Sequence, residues 1–122
     1  MQFIRYHHIS FKNAFRGLFW AFSTQPNFRI HGFFSILAIV TGFILKITPV
    51  EMTILVLTIV FGMGIEMVNT SIEAATDMIT TEWREEAKIA KDVAAGMMLL
   101  AAIGAVIVAL IIFIPRLWLI FF

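Results

Sequence analysis

No cysteine occurs in the 122 residues, which excludes a disulfide framework and thiolate metal sites. Neither G-x-x-x-x-G-K-[ST] nor G-x-G-x-x-G is present, so the two common glycine-rich phosphate cradles are excluded as well. Gly62-Met-Gly64 lies within an apolar run rather than after a strand. There is no internal repeat and no low-complexity tract, and the first long apolar run begins too late to read as a cleavable leader. Charge is scarce too: 14% of residues are Asp, Glu, Lys or Arg, against 61% hydrophobic and a mean hydropathy of +0.95. That composition is too apolar for a soluble globule of this size and reads as one integral membrane domain over residues 1–122. A net charge of +1 gives no reason to expect a nucleic-acid partner.

Three stretches carry the hydrophobicity, roughly Phe28 to Ile47, Val50 to Val68 and Val93 to Ile114. At about 1.5 Å of rise per residue, each can cross a hydrocarbon core of ~30 Å as a helix. Lys46-Ile-Thr-Pro49 leaves room only for a tight reversal, so the first two spans form an antiparallel pair. Before them, Phe11, Ala14, Phe15, Leu18, Phe19 and Phe22 recur with helical spacing, and Lys12, Asn13 and Arg16 fall on the other face. This predicts an amphipathic surface helix over residues 10–23, capped by Ser10 and broken at Gln25-Pro26-Asn27. The fold class expected is therefore all-α, three transmembrane helices plus a surface helix.

Basic residues are unevenly placed. Arg5, Lys12, Arg16 and Arg29 precede the first span or open it, and Arg84, Lys88 and Lys91 lie between the second and third, leaving only Lys46 and Arg116 for the other side. The excess of Lys and Arg puts the N-terminus and the 77–92 segment in the cytoplasm, with the C-terminus outside.

Against this background Glu66 is conspicuous, because a lone carboxylate inside an apolar span costs ~2.5 kcal/mol or more to insert. With Asn69, Glu73 and Asp77 it forms a polar stripe at spacings of three, four and four, which falls close to one line on a helix. The periodicity continues beyond the apolar run, so the stripe is expected to straddle the cytoplasmic interface. Glu66 is placed to accept a proton from a hydroxyl, and Glu73, nearer the headgroups, to hold a hard cation such as Mg²⁺ together with phosphate oxygens. Lys91 and Arg84 can neutralise phosphate charge. The stripe thus fits phosphoryl transfer at an interface. It also fits a non-enzymatic ion pathway, or a scaffold oligomer glued by polar side chains.

The run Gly64-Ile-Glu-Met-Val-Asn-Thr-Ser-Ile-Glu-Ala-Ala-Thr-Asp77, followed at fixed distance by Ala90-Lys-Asp92, resembles the signature of the prokaryotic diacylglycerol kinase and undecaprenol kinase family. Phe11-Lys-Asn-Ala-Phe-Arg-Gly-Leu18 and Asn27-Phe-Arg-Ile-His31 are also similar to its members. The resemblance implies a homotrimeric, ATP-dependent lipid kinase with Mg²⁺, whose sites are shared between neighbouring subunits. It implies Glu66 as general base, Asn69 as a positioning group, and Glu73 as metal ligand. Nucleotide contacts are implied at Asn13, Glu82, Trp83, Arg84, Lys91 and Asp92, and lipid contacts at Asn27, Arg29 and His31. Gln25 stands where many members carry a second metal-binding glutamate and offers only a neutral carbonyl oxygen. His31 stands where some diacylglycerol-specific members carry an acid, and the substrate implied is diacylglycerol or undecaprenol.

Overall fold

The computed structural model describes residues 2–121, with side chains from residue 10 onward. Four helices follow one another: α1 (Gln2–Thr24), α2 (Pro26–Ile44), α3 (Pro49–Ile79) and α4 (Glu85–Phe121). No strand occurs among the described residues. The last three helices are each long and apolar enough to cross a membrane. All-α architecture with three candidate spans and an N-terminal helix is therefore what the sequence pattern called for.

The helix boundaries differ from the apolar spans in instructive ways. α1 begins by Gln2 rather than at Ser10, so Ser10 is an interior residue and not a cap. No glycine or proline precedes Gly17, and nothing in the chain stops the helix from extending toward the N-terminus. α3 runs eleven residues beyond the apolar limit at Val68, carrying Glu73 and Asp77 as expected. α4 starts at Glu85 and passes through Pro115 to Phe121, seven residues beyond the apolar limit at Ile114. The proline removes one backbone donor there, while the Arg116 guanidinium donates from Nη1 to the carbonyl of Ile112 at 3.0 Å.

Each corner has a local cause. Between α1 and α2, Gln25 is extended (φ −100°, ψ 107°) and Pro26 occupies the first helical turn, where its missing N–H costs nothing. The Phe22 ring meets buried Phe28 edge-on at 4.7 Å, and a Cβ on Gly32 would lie 3.3 Å from the same Phe22 ring. Between α2 and α3, Ile47 N–H reaches back to Gly42 O at 3.0 Å and Lys46 N–H to Phe43 O at 3.2 Å. These are the two bonds of a Schellman cap, and they force Lys46 to φ +50°. Ile47 also packs where a Gly42 side chain would be, its Cδ1 only 2.8 Å from a built Cβ. Thr48 and Glu51 then form a capping box, Thr48 N–H donating to Glu51 Oε2 at 2.7 Å and Glu51 N–H to Thr48 Oγ1 at 3.2 Å.

The cap holds Lys46 in a left-handed conformation that disfavours any residue with a Cβ by roughly 1 kcal/mol or more. Lys46→Gly is therefore expected to raise stability by about 1 kcal/mol, read as a higher thermal unfolding midpoint in detergent. An unchanged midpoint would show that the turn stores no such strain.

The Glu51 carboxylate has a second function. Arg116 grips it with both terminal nitrogens, at 2.7 and 2.5 Å, tying the start of α3 to the end of α4. α3 and α4 make the most extensive pairing in the chain, and α2 packs on α3 beside them. On α3 the inward face is one stripe, Leu55, Glu66, Asn69 and Thr76, all buried. On α4 the buried Ala94 and Ile112 are 18 residues apart, five whole turns, and so lie on one line. Most other apolar residues of the three long helices face outward.

Candidate functional site

α3 presents the first two residues of the polar stripe, Glu66 and Asn69, to the interior of the helix packing. Glu66 is 3% exposed and Asn69 8% exposed, in a chain where few side chains of any kind are buried. Asn69 Nδ2 donates to Glu73 Oε1 at 3.0 Å, one turn along the helix, so the amide and the carboxylate orient each other. Two oxygens are left over, Glu66 Oε2 and Asn69 Oδ1, each buried without a hydrogen-bond partner. A buried polar atom in that condition costs roughly 1–3 kcal/mol, and such groups cluster where a ligand completes the set. Glu73 is exposed and lies about 10 Å further along the helix axis than Glu66. The stripe thus runs from a buried acceptor to an exposed carboxylate, with Asn69 between them.

Beyond Glu73 the chain turns. Thr80 ends α3 in an extended conformation, its N–H still bonded to Thr76 O, and its hydroxyl accepts from Glu82 N–H at 3.1 Å. Lys88 N–H bonds to Arg84 O at 3.0 Å, making Arg84 the entry to α4. Between the two helix ends lies a concavity of about 460 Å³, lined among others by Asp77, Glu82, Trp83, Arg84, Lys91 and Asp92. All five nucleotide positions implied for this turn therefore share one hollow. Two ion pairs lie on its wall: Lys91 Nζ to Asp77 Oδ1 and Lys88 Nζ to Asp92 Oδ2, both at 2.5 Å. Trp83 is 78% exposed.

A second, apolar groove of about 590 Å³ runs between α2, α3 and α4, with His31 and Ser35 toward one end and Phe113 toward the other. Over α2 it extends from Ile30 to Thr41, about 16 Å of helix. His31 is half-buried, and its carbonyl accepts the Ser35 hydroxyl at 2.7 Å. Asn27 and Arg29, four and two residues earlier, are exposed. A third hollow, about 530 Å³, separates α3 from α4 on another face and is lined by Leu57, Phe61, Met97, Leu100 and Gly104.

Two other implied residues are not bonded to the stripe within one chain. Asn13 is exposed on α1, and among the described residues no hydrogen bond joins it to Glu66, Asn69 or Glu73. Gln25 donates from its amide to Thr24 Oγ1 at 3.2 Å and makes no bond to Glu73. No group of three or more His, Asp or Glu side chains gathers among the described residues. The oxygens that are present suit a hard divalent cation nonetheless: the Glu73 carboxylate and the orphaned Asn69 Oδ1 stand one turn apart, and Mg²⁺ takes one or two protein oxygens and fills the rest with water and phosphate. Thr76 is the buried polar residue that sequence reasoning missed; its hydroxyl donates back to Ile72 O at 2.7 Å, and it lines the hollow between α3 and α4. Its spacing of three from Glu73 was the available signal.

Residues 12–113 match the family model described as prokaryotic diacylglycerol kinase. A diacylglycerol kinase of Synechocystis is 42% identical over 110 residues, which are 89% of this chain and 63% of that protein; the chain spans less than two thirds of that relative's length. The undecaprenol kinase of Bacillus subtilis is 35% identical over 88% of both chains. A diacylglycerol kinase of Escherichia coli is 32% identical over 77% of both.

Proposed function

The chain belongs to the prokaryotic diacylglycerol kinase family, and from that premise we propose that it transfers the γ-phosphoryl group of ATP, with Mg²⁺, to the hydroxyl of a membrane lipid. The observation that carries this reading is Glu66, a buried carboxylate with an unpartnered Oε2 at membrane depth. In the proposed reaction the lipid hydroxyl donates its proton to Glu66 as its oxygen forms the new bond to the γ-phosphorus. The bond from that phosphorus to the β,γ-bridging oxygen breaks, and ADP leaves. Asn69 holds the Glu73 carboxylate in place and offers its own oxygen beside it. When bound there, Mg²⁺ supplies charge neutralisation of the phosphates. Lys91, Arg84 and Trp83 hold the nucleotide in the turn between α3 and α4, with Asp92 and Glu82 on the same wall.

The apolar groove that opens at His31 supports a long-chain substrate, its tail lying between α2, α3 and α4 and its hydroxyl toward the polar stripe. Asn27 and Arg29 stand at the entry for its head. Gln25 and Asn13, which make no hydrogen bond to Glu73 or Glu66 within one chain, fit a composite site in which a neighbouring subunit brings them in. A homotrimer is the assembly proposed, and the Gly104 and Phe61 hollow is one of the uncovered faces it would fill. The location proposed is the bacterial inner membrane, with the N-terminus and active site cytoplasmic, and the Lys and Arg distribution supports it.

The test is transfer of labelled γ-phosphate in mixed micelles with Mg²⁺ to diacylglycerol and to undecaprenol presented separately. Labelled product with one of them, lost in Glu66→Gln, is the expected result and names the preferred lipid. No product with either lipid from the folded oligomer would overturn the reading and leave the ion-pathway or scaffold alternative.

A further inference from the structure

The hollow proposed for the nucleotide contains one cation that the family resemblance does not single out. Lys88 lines it together with Arg84 and Lys91. Lys88 and Lys91, three residues apart on α4, fall within about 60° of one another, and Arg84 just before the helix lines the same hollow, so three cationic residues share it. Their present partners differ in kind. Lys91 reaches across to Asp77 on α3, whereas Lys88 is held by Asp92 on its own helix. Both members of the Lys88 pair are well exposed, 59% and 62% for their side chains. Ion pairs so exposed contribute little and exchange readily, while a charge-assisted bond to phosphate is stronger.

We infer that Lys88 is a further phosphate-binding residue, which leaves Asp92 for the polyphosphate of ATP and completes a three-cation wall with Arg84 and Lys91. The exchange has two consequences. It adds a third positive charge opposite a triphosphate that carries up to four negative charges. It also frees the Asp92 carboxylate for the nucleotide contact proposed for it. This inference rests on the kinase reading above, and the experiment keeps the two apart.

Binding of labelled ATP to the detergent-solubilised full chain is measured by equilibrium dialysis for the wild type, Lys88→Gln and Lys88→Arg. Inorganic tripolyphosphate serves as the competitor, and kcat and KM for ATP are determined in parallel. Expected for Lys88→Gln is an about tenfold higher Kd for ATP, some 1.4 kcal/mol, with KM rising to match and kcat held within about twofold. Tripolyphosphate should lose affinity by the same factor, and Lys88→Arg should restore both. An unchanged Kd in Lys88→Gln overturns the inference while the kinase reading stands. So does loss of ATP binding with tripolyphosphate unaffected, because Lys88 would then act only by holding Asp92. Tripolyphosphate that fails to compete in the wild type also counts against the cation wall. A wild type that neither binds ATP nor transfers phosphate removes the kinase reading and this inference with it.

Discussion

Glu66→Gln is expected to lower turnover by about 10³-fold, the middle of the ~10²–10⁴ range for a positioned general base, with ATP affinity unchanged. The substitution is close to isosteric. It keeps one oxygen where Glu66 has two and puts an amide on the other, so the packing around a side chain that is 3% exposed is retained. What is lost is the capacity to take the hydroxyl proton. A fall of 10³ corresponds to about 4 kcal/mol of transition-state stabilisation, more than any rearrangement of a single neutral hydrogen bond supplies. The hollow proposed for the nucleotide begins at Thr76, ten residues along α3, so ATP binding measured by dialysis should not move. Near-normal turnover would refute the base assignment. Loss of turnover and ATP binding together would make Glu66 a structural residue.

Why Glu66 stood out in the sequence while other parts of the site did not is a matter of contrast. A carboxylate among apolar residues is visible against its neighbours, and the stripe through Asn69 and Glu73 follows from helical period alone. Helix count and the reversal at Lys46 to Pro49 were legible for the same reason, since apolar length and breakers mark them directly. The amphipathic pattern of residues 11–22 located α1 but not its start, because a helix with no breaker upstream simply continues. The end of α4 differs in the same sense: the apolar span closes at Ile114, yet the helix carries through Pro115 to Phe121. The Glu51–Arg116 clamp joins residues 65 apart, and no local pattern announces a contact of that kind. Likewise Lys88 counted in the sequence only as one of the basic residues between the second and third spans, and the turn at Thr80 to Arg84 folds that segment into a hollow against Asp77.

Glu73→Ala is expected to raise the Mg²⁺ concentration for half-maximal transfer by about a hundredfold or more, since loss of an outer-shell partner alone commonly weakens metal affinity ~10- to 100-fold. Alanine removes two things at once, however: the carboxylate charge, and the acceptor that holds the Asn69 amide at 3.0 Å. Glu73→Gln separates them, because its amide oxygen can still accept from Asn69 Nδ2 while the negative charge is gone. If the carboxylate binds the metal, both variants shift the Mg²⁺ titration strongly. If Glu73 serves only to orient Asn69, the Glu73→Gln variant keeps a normal titration and the Glu73→Ala variant does not. Gln25→Glu provides the reverse experiment. It returns a carboxylate where the family resemblance implies a second metal-binding glutamate, and in an assembly that brings residue 25 beside Glu73 it should lower the Mg²⁺ requirement of the wild type. It should also recover part of the loss in Glu73→Gln. An Mg²⁺ titration that Glu73→Ala leaves unchanged would reject Glu73 as the metal ligand. One that Gln25→Glu leaves unchanged would separate residue 25 from the metal and place the second protein oxygen on Asn69, whose Oδ1 is already buried and unpartnered.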